Sequence, residues 1–239
     1  MTEFLSPVAL DFLWESLDAG ELPYPLEVPS HGLTVDERSV LRQQVFGELR
    51  AQELLDGSGR MSPRLEDLLT LLARGTHSID AVSSDTTALA VGDGSSGLLA
   101  TQESSGVRLR SIDPGSLASS VVALLPPCPR GTEQSITIPV SELAALSEGR
   151  SAGRSVADRQ VLARLSEQPK LRAGQLAVNA RKPMGGRLRS PVLSWFDTES
   201  GRYLTYAKQD WITIAPADAP TLRHRLGELL VTVSAQRAG

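Results

Sequence analysis

Between Leu171 and Pro216 apolar and polar residues alternate in four short segments separated by turn residues, the period-two pattern of an antiparallel meander. Leu176, Val178 and Ala180 fall on one face of the first strand. Leu193 and Trp195 do so in the second, Leu204 and Tyr206 in the third, Ile212 and Ile214 in the fourth. Between the second and third, Asp197-Thr198-Glu199-Ser200-Gly201 predicts a hairpin loop with a bulge, glycine taking the positive φ. From about Pro220 to Gln236 the period changes, and Leu222, Leu226, Leu229, Leu230 and Val233 line one stripe of a helix that can lie across a sheet.

The same order occurs earlier. From His77 to Ile112 four strand-like runs are marked by Ile79 and Ala81, Leu89 and Val91, Leu98 and Ala100, and Val107 and Leu109. A helix follows at once, with Asp113 as its cap and Pro114 at its first position. Helices precede both meanders, so the chain reads as an internal duplication whose halves share a sheet. The stiff Pro126-Pro127-Cys128-Pro129 connector marks the boundary, giving residues 1–127 and 128–239 as two halves of one integrated domain.

Helix punctuation is clear in the first half. A short strand at Glu3–Leu5 leads to Ser6-Pro7, which open a helix that should end at Ala19-Gly20. The proline-rich run Pro23–Pro29 is expected to be extended. Thr34 with Glu37 forms a capping box for a helix carrying Leu41, Val45, Phe46 and Leu49, and Ser62-Pro63 starts another with Leu65, Leu68, Leu69 and Leu72. In the second half a strand is expected over Ser135–Val140 and a short helix from Ser141. A small, polar, poorly ordered run at Ser147–Gly153 and a helix over Ser155–Ser166 come next.

Composition narrows the chemistry. The 239 residues carry a net charge of −4, which argues against nucleic acid as the main partner. One cysteine excludes an intramolecular disulfide. With an acidic start and no apolar run of signal or membrane length, it points to the cytoplasm and to no membrane insertion. Aromatic residues make up only 4%, so the three tryptophans stand out as sources of apolar contact, Trp14 as core.

No catalytic constellation emerges. Gly92-Asp93-Gly94-Ser95-Ser96-Gly97 fits a phosphate-binding spacing, but a strand-like run follows where a helix N-terminus is required, so a hairpin turn is expected. His31, His77 and His224 are far apart, with no second ligand at metal spacing. No G-x-S-x-G elbow occurs, Cys128 lies among prolines, and no carboxylate pair can be nominated. Arg181 to Arg189 concentrates four basic side chains around a glycine turn. That hairpin either grips phosphates or an acidic partner, or is a solvated loop whose charge blunts edge pairing.

Glu3-Phe4-Leu5-Ser6 leading to Leu13-Trp14, the run Leu17–Pro23, and Phe196-Asp197-Thr198-Glu199-Ser200-Gly201-Arg202-Tyr203-Leu204 resemble the EspG family of ESX secretion-associated proteins along nearly the whole chain. The resemblance implies an α+β fold, a central and mostly antiparallel β-sheet flanked by two helical bundles related by a pseudo-two-fold axis. It also implies a non-enzymatic, cytosolic chaperone of type VII secretion, without cofactor or metal. Such a protein binds the apolar tip of the PPE subunit in a PE-PPE heterodimer, keeps it soluble and hands it to the ESX machinery. The family's binding surface draws on the sheet, the second helical bundle and the loop between the first two strands of the first meander. That loop would here be Ser83, Ser84 and Asp85, which is short; Trp195, Tyr203 and Trp211 are the expected aromatic anchors on the sheet. Two rivals stand beside this reading: a nucleic-acid or acidic-partner module using the Arg181 to Arg189 hairpin, and a hydrolase whose carboxylates converge only in the fold.

Overall fold

The computed structural model describes residues 2–142 and 156–238. Eleven strands among the described residues make mostly antiparallel sheet, and the chain forms two compact units, Met1–Ser78 with Thr87–Val121, and Ile79–Thr86 with Val122–Gly239. The expected short helix from Ser141 and the polar run Ser147–Gly153 fall almost wholly outside the described residues.

In the first unit, β1 (Thr2–Leu5), α1 (Pro7–Ser16), α2 (Val35–Ala51) and α3 (Pro63–Arg74) precede the meander strands β3 (Thr87–Gly92), β4 (Gly97–Glu103) and β5 (Gly106–Ile112); β2 (His77–Ser83), the first strand of the meander, belongs from Ile79 onward to the second unit. The caps are those the sequence predicts. Ser6 and Ser62 accept the N–H groups of Ala9 and Leu65, each ahead of a first-turn proline, and Thr34 and Glu37 complete a reciprocal capping box. α3 lays Leu65, Leu68, Leu69 and Leu72 in one core with Leu89, Val91, Leu98 and Ala100 of β3 and β4. β4 pairs with β3 and β5, and β1 returns to pair with β5, all antiparallel. A 3-10 turn capped by Asp113 leads to α4 (Leu117–Val122).

Two expectations change here. α1 stops at Ser16, short of Ala19-Gly20, because the Trp14 indole donates to the Gly20 carbonyl at 2.7 Å and folds the following residues back. Pro23–Pro29 is broken by a turn at Tyr24-Pro25, where Leu26 N–H donates to Pro23 O at 3.1 Å; proline suits turns as well as extended runs.

In the second unit, β6 (Ile136–Pro139) and α5 (Val156–Glu167) precede β7 (Arg172–Arg181), β8 (Arg187–Arg189), β9 (Leu193–Thr198), β10 (Gly201–Lys208) and β11 (Trp211–Pro216); α6 (Ala219–Ala238) closes it. The order across the sheet is β7-β9-β10-β11-β6. Thus β6 returns to the last meander strand as β1 does in the first unit, and this repeated pairing supports the duplication. The closing helices have diverged, α4 having 6 residues and α6 having 20.

The second meander has five strands where four were expected. β8 and β9 lie along successive lengths of one side of β7, Arg172–Leu176 facing β9 and Asn179–Arg181 facing β8. Pro191 has no N–H for the ladder, and Ser190 makes the junction. Its N–H donates to Val178 O at 2.8 Å, its Oγ accepts from Val178 N–H at 3.0 Å, and the same hydroxyl donates to Pro191 O at 2.9 Å. The β9-β10 connection is also tighter than expected, since Thr198 pairs with Gly201 across a two-residue turn.

Register then assigns the faces of this sheet. Phe196, Tyr203, Ile214, Ile136 and Ile138 share one face and pack against Val161, Leu162 and Leu165 of α5. Trp195, Leu204 and Tyr206 share the other, where Arg225 of α6 sits over the Tyr206 ring at 5.2 Å.

Candidate partner-binding surface

The turn Ser83-Ser84-Asp85 is compact. Ser83 N–H donates to Thr86 O at 2.8 Å and Asp85 N–H to Ser83 Oγ at 3.3 Å, with Ser84 and Asp85 exposed. Val82 and Ser83 rest on Gly174 of β7. A Cβ there would lie 2.8 Å from Val82 O, 2.9 Å from Ser83 Cβ and 2.8 Å from Trp195 Nε1, so only glycine lets the turn and the indole approach. Ser83 and Trp195 are thereby brought together.

Trp195 itself is 2% exposed and Tyr203 1%, so neither offers surface to a partner; both belong to the core, on opposite faces. The Arg202 guanidinium lies 4.7 Å from the Trp195 ring centroid. Arg202 donates from Nε to Asp197 Oδ1 at 2.7 Å, and from Nη2 to Asp197 Oδ2 at 2.8 Å and Pro126 O at 2.9 Å. Arg202 and Asp197 are each 2% exposed, a fully desolvated bidentate pair. The Arg202 backbone also donates to Pro129 O and accepts from Gly131 N–H and Ala217 N–H, fastening the proline-rich connector to β10. The sequence reading missed this pair; the two residues are five apart across a turn, a spacing that a two-residue hairpin makes into direct neighbours.

On the opposite face the Tyr203 hydroxyl accepts from the N–H groups of Thr132 and Glu133, each at 3.1 Å, and lies 3.0 Å from Ser200 Oγ. Its ring stacks on Phe196 at 5.4 Å and covers Gly131, where a Cβ would fall 2.4 Å from the ring. Trp211, half-buried at the start of β11, is the expected anchor that retains accessible surface.

Of the four basic residues in the 181–189 run, Arg189 is committed to the fold. It donates to Asp80 at 2.8 and 3.0 Å and to Asn179 Oδ1 at 3.1 Å. Gly92 to Gly97 forms the β3-β4 hairpin turn, with Asp93 Oδ1 accepting the Ser95 and Ser96 N–H groups. Those donors therefore already serve a carboxylate.

In the first unit a cleft of about 740 Å³ contains Asp11, Glu15, Glu21, Glu27 and Arg38. Arg38 donates to Asp11 at 3.0 and 3.1 Å and to Glu15 at 2.7 Å. Burial works to raise the Asp11 pKa, but the Arg38 and His31 hydrogen bonds outweigh it, and Arg38 also holds Glu15 below the usual carboxylate range. Both stay ionised, so this pair lacks the split an acid and a base require. Burial pushes the Cys128 thiol up, and nearby Asp197 adds to the effect, which disfavours a reactive thiolate. Among the described residues no three His, Cys, Asp or Glu side chains gather at metal-binding distance, and no helix is long and apolar enough to cross a membrane.

No curated protein sequence matches the chain. Among solved structures it is similar to the Mycobacterium tuberculosis type VII secretion system chaperone EspG5 in complex with the PE25-PPE41 dimer. The TM-score is 0.74 and the identity 12%, over 96% of each chain, a likeness of fold. The EspG family model matches residues 6–228, with the order of helices, meanders and closing helices described above, and this chain belongs to the EspG family.

Proposed function

We propose that this protein is a cytosolic type VII secretion chaperone that binds a PE-PPE heterodimer through the PPE subunit. The observation that carries the reading is the family match over residues 6–228, supported by the similarity along the whole fold to a chaperone solved with a PE-PPE dimer. The chain works without catalysis. It covers the apolar tip of the PPE subunit, keeps the pair soluble and delivers it to the ESX machinery. Contact falls to Ser84, Asp85 and Trp211, with Ser83, Trp195 and Tyr203 acting from beneath by holding the turn, the Arg202 pair and the connector in place. A half-buried tryptophan suits such a surface, since it adds large apolar contact at small entropic cost.

Co-purification tests this. The tagged chain, drawn from cytoplasm expressing PE and PPE pairs at moderately high salt, should retain one pair in equal amounts, identified by mass. Trp211→Ala should weaken that capture by about 1–2 kcal/mol at a temperature well below its own thermal transition. Failure to retain any pair from cells shown to express them overturns the assignment. Unchanged affinity in Trp211→Ala removes that residue from the surface.

A further inference from the structure

The β7-β8 hairpin lifts residues 182–187 into solvent, with Met184 at its apex 97% exposed. Its base is held firmly. Asp80, whose side chain is 3% exposed, accepts both Arg189 terminal nitrogens and Asn179 Nδ2, and Arg237 Nε donates to the Arg181 carbonyl at 2.8 Å. Gly185 and Gly186 turn the tip at φ 92° and 85°, closed by Lys182 N–H to Gly186 O at 3.0 Å. Lys182 and Arg187, flanking Met184, have no carboxylate partner among the described residues. Arg237 spends its Nε–H on a carbonyl, which leaves its charge unopposed by that bond. The exposed apolar apex is thus flanked in sequence by Lys182 and Arg187, with Arg237 at the base of the hairpin, on a chain of net charge −4.

We propose that this hairpin docks a short acidic polypeptide segment, which sets an apolar side chain against Met184 and carboxylates against Lys182, Arg187 and Arg237. The extent of the patch decides the class of partner. Duplex nucleic acid is gripped through roughly 6–10 phosphate contacts, and an anionic membrane through clusters of about 4–8 basic residues. One hairpin tip accommodates two or three carboxylates. Gly174, beside Ser83, lies roughly 23 Å along β7 from Arg181 at about 3.3 Å per residue, so the hairpin is separate from the Ser83–Asp85 turn assigned to the PE-PPE pair.

The test is fluorescence anisotropy of the full chain with a fluorescein-labelled peptide of alternating Glu and Leu. Its Gln/Leu counterpart, a thymidine oligonucleotide and phosphatidylglycerol vesicles serve as comparisons. Saturable binding of the acidic peptide is expected, weakened about tenfold in Lys182→Glu/Arg187→Glu and several-fold in Met184→Ser, and lost for the Gln/Leu peptide. Thermal melts check folding, with Lys182→Gln/Arg187→Gln as the second variant should the charge reversal lower the transition. Equal binding to the parent and both charge variants overturns the proposal, as does tighter binding of oligonucleotide or vesicles than of the peptide. Capture of a PE-PPE pair by the same variants reads the chaperone role separately, so failure of one does not imply failure of the other.

Discussion

Replacing Arg202 by methionine would take the two short hydrogen bonds from the Asp197 carboxylate in a site that is 2% exposed, leaving it the more distant Arg172 at 3.9 Å, and would free the Pro126 carbonyl that Arg202 also serves. Breaking a buried pair on one side costs about 3–5 kcal/mol, whereas replacing both partners by apolar groups is often close to neutral. Urea unfolding of Arg202→Met should therefore show a loss of about that size, and Arg202→Met with Asp197→Leu should recover most of it. A single variant as stable as the parent would show that the pair does not anchor the connector.

Acid should act on the first unit in part through Asp11 and Glu15, beside Asp56, Asp93 and Glu103, which their own hydrogen bonds also hold low. The Asp11 and Glu15 pKa values fall on folding from ordinary values of 3.8 and 4.5. A lowered carboxylate contributes stability that is fully present above its unfolded pKa and is lost as pH falls through the folded one. Urea midpoints should hold from neutrality to about pH 5 and decline below it, and Arg38→Met should flatten that acid limb. Glu15 is about half exposed, so solvent screens its share and Asp11 carries the larger part. An equally steep limb in Arg38→Met would assign the acid sensitivity elsewhere.

Among the elements, the Ser190 junction separates two short ladders on one side of β7. Ser190→Ala removes the acceptor of a buried N–H, that of Val178, at a cost of about 1–3 kcal/mol by thermal or urea unfolding. Ser190→Gly should lose as much, and parent-like stability in both would mean that another group satisfies Val178. What the chain spells out locally was legible from sequence: Ser6-Pro7, Thr34 with Glu37, Ser62-Pro63 and the alternation of both meanders each rest on neighbours within a few residues. Long-range choices were not. Nothing near Trp14 announces that its indole reaches the Gly20 carbonyl and ends α1 early. A loop spanning residues 197–201 would set Trp195 opposite Tyr203, while the observed turn sets it opposite Leu204. That slip of one residue sends the two aromatics to opposite faces, and each face is covered there.

At the scale of the molecule, the repeated order of short strand, helices, meander and closing helix was legible as a pattern. The return of β1 to β5 and of β6 to β11 required the fold, because four-residue strands carry little signal of their own. Trp211 alone among the expected aromatic anchors kept a surface, since burial is decided by what the rest of the chain places overhead. The two proposed interactions should respond oppositely to ionic strength. Capture of a PE-PPE pair rests on apolar burial and should persist at a salt concentration near 1 M, where the Debye length is about 3 Å, while the acidic peptide on the hairpin should dissociate.

The interruption at Pro191 also has an evolutionary side. Because β8 is bonded to β7 over Asn179–Arg181 alone and the β9 ladder begins beyond the junction, residues 182–186 can change in length and composition without shifting the register of the strands that hold the core. Mutations there are screened from the cost that a similar change at the β9-β10 turn would incur. The tip can therefore diverge at its own pace, and lineages of this fold can acquire or shed partners at one end of β7 while the other end stays under the constraint of its packing.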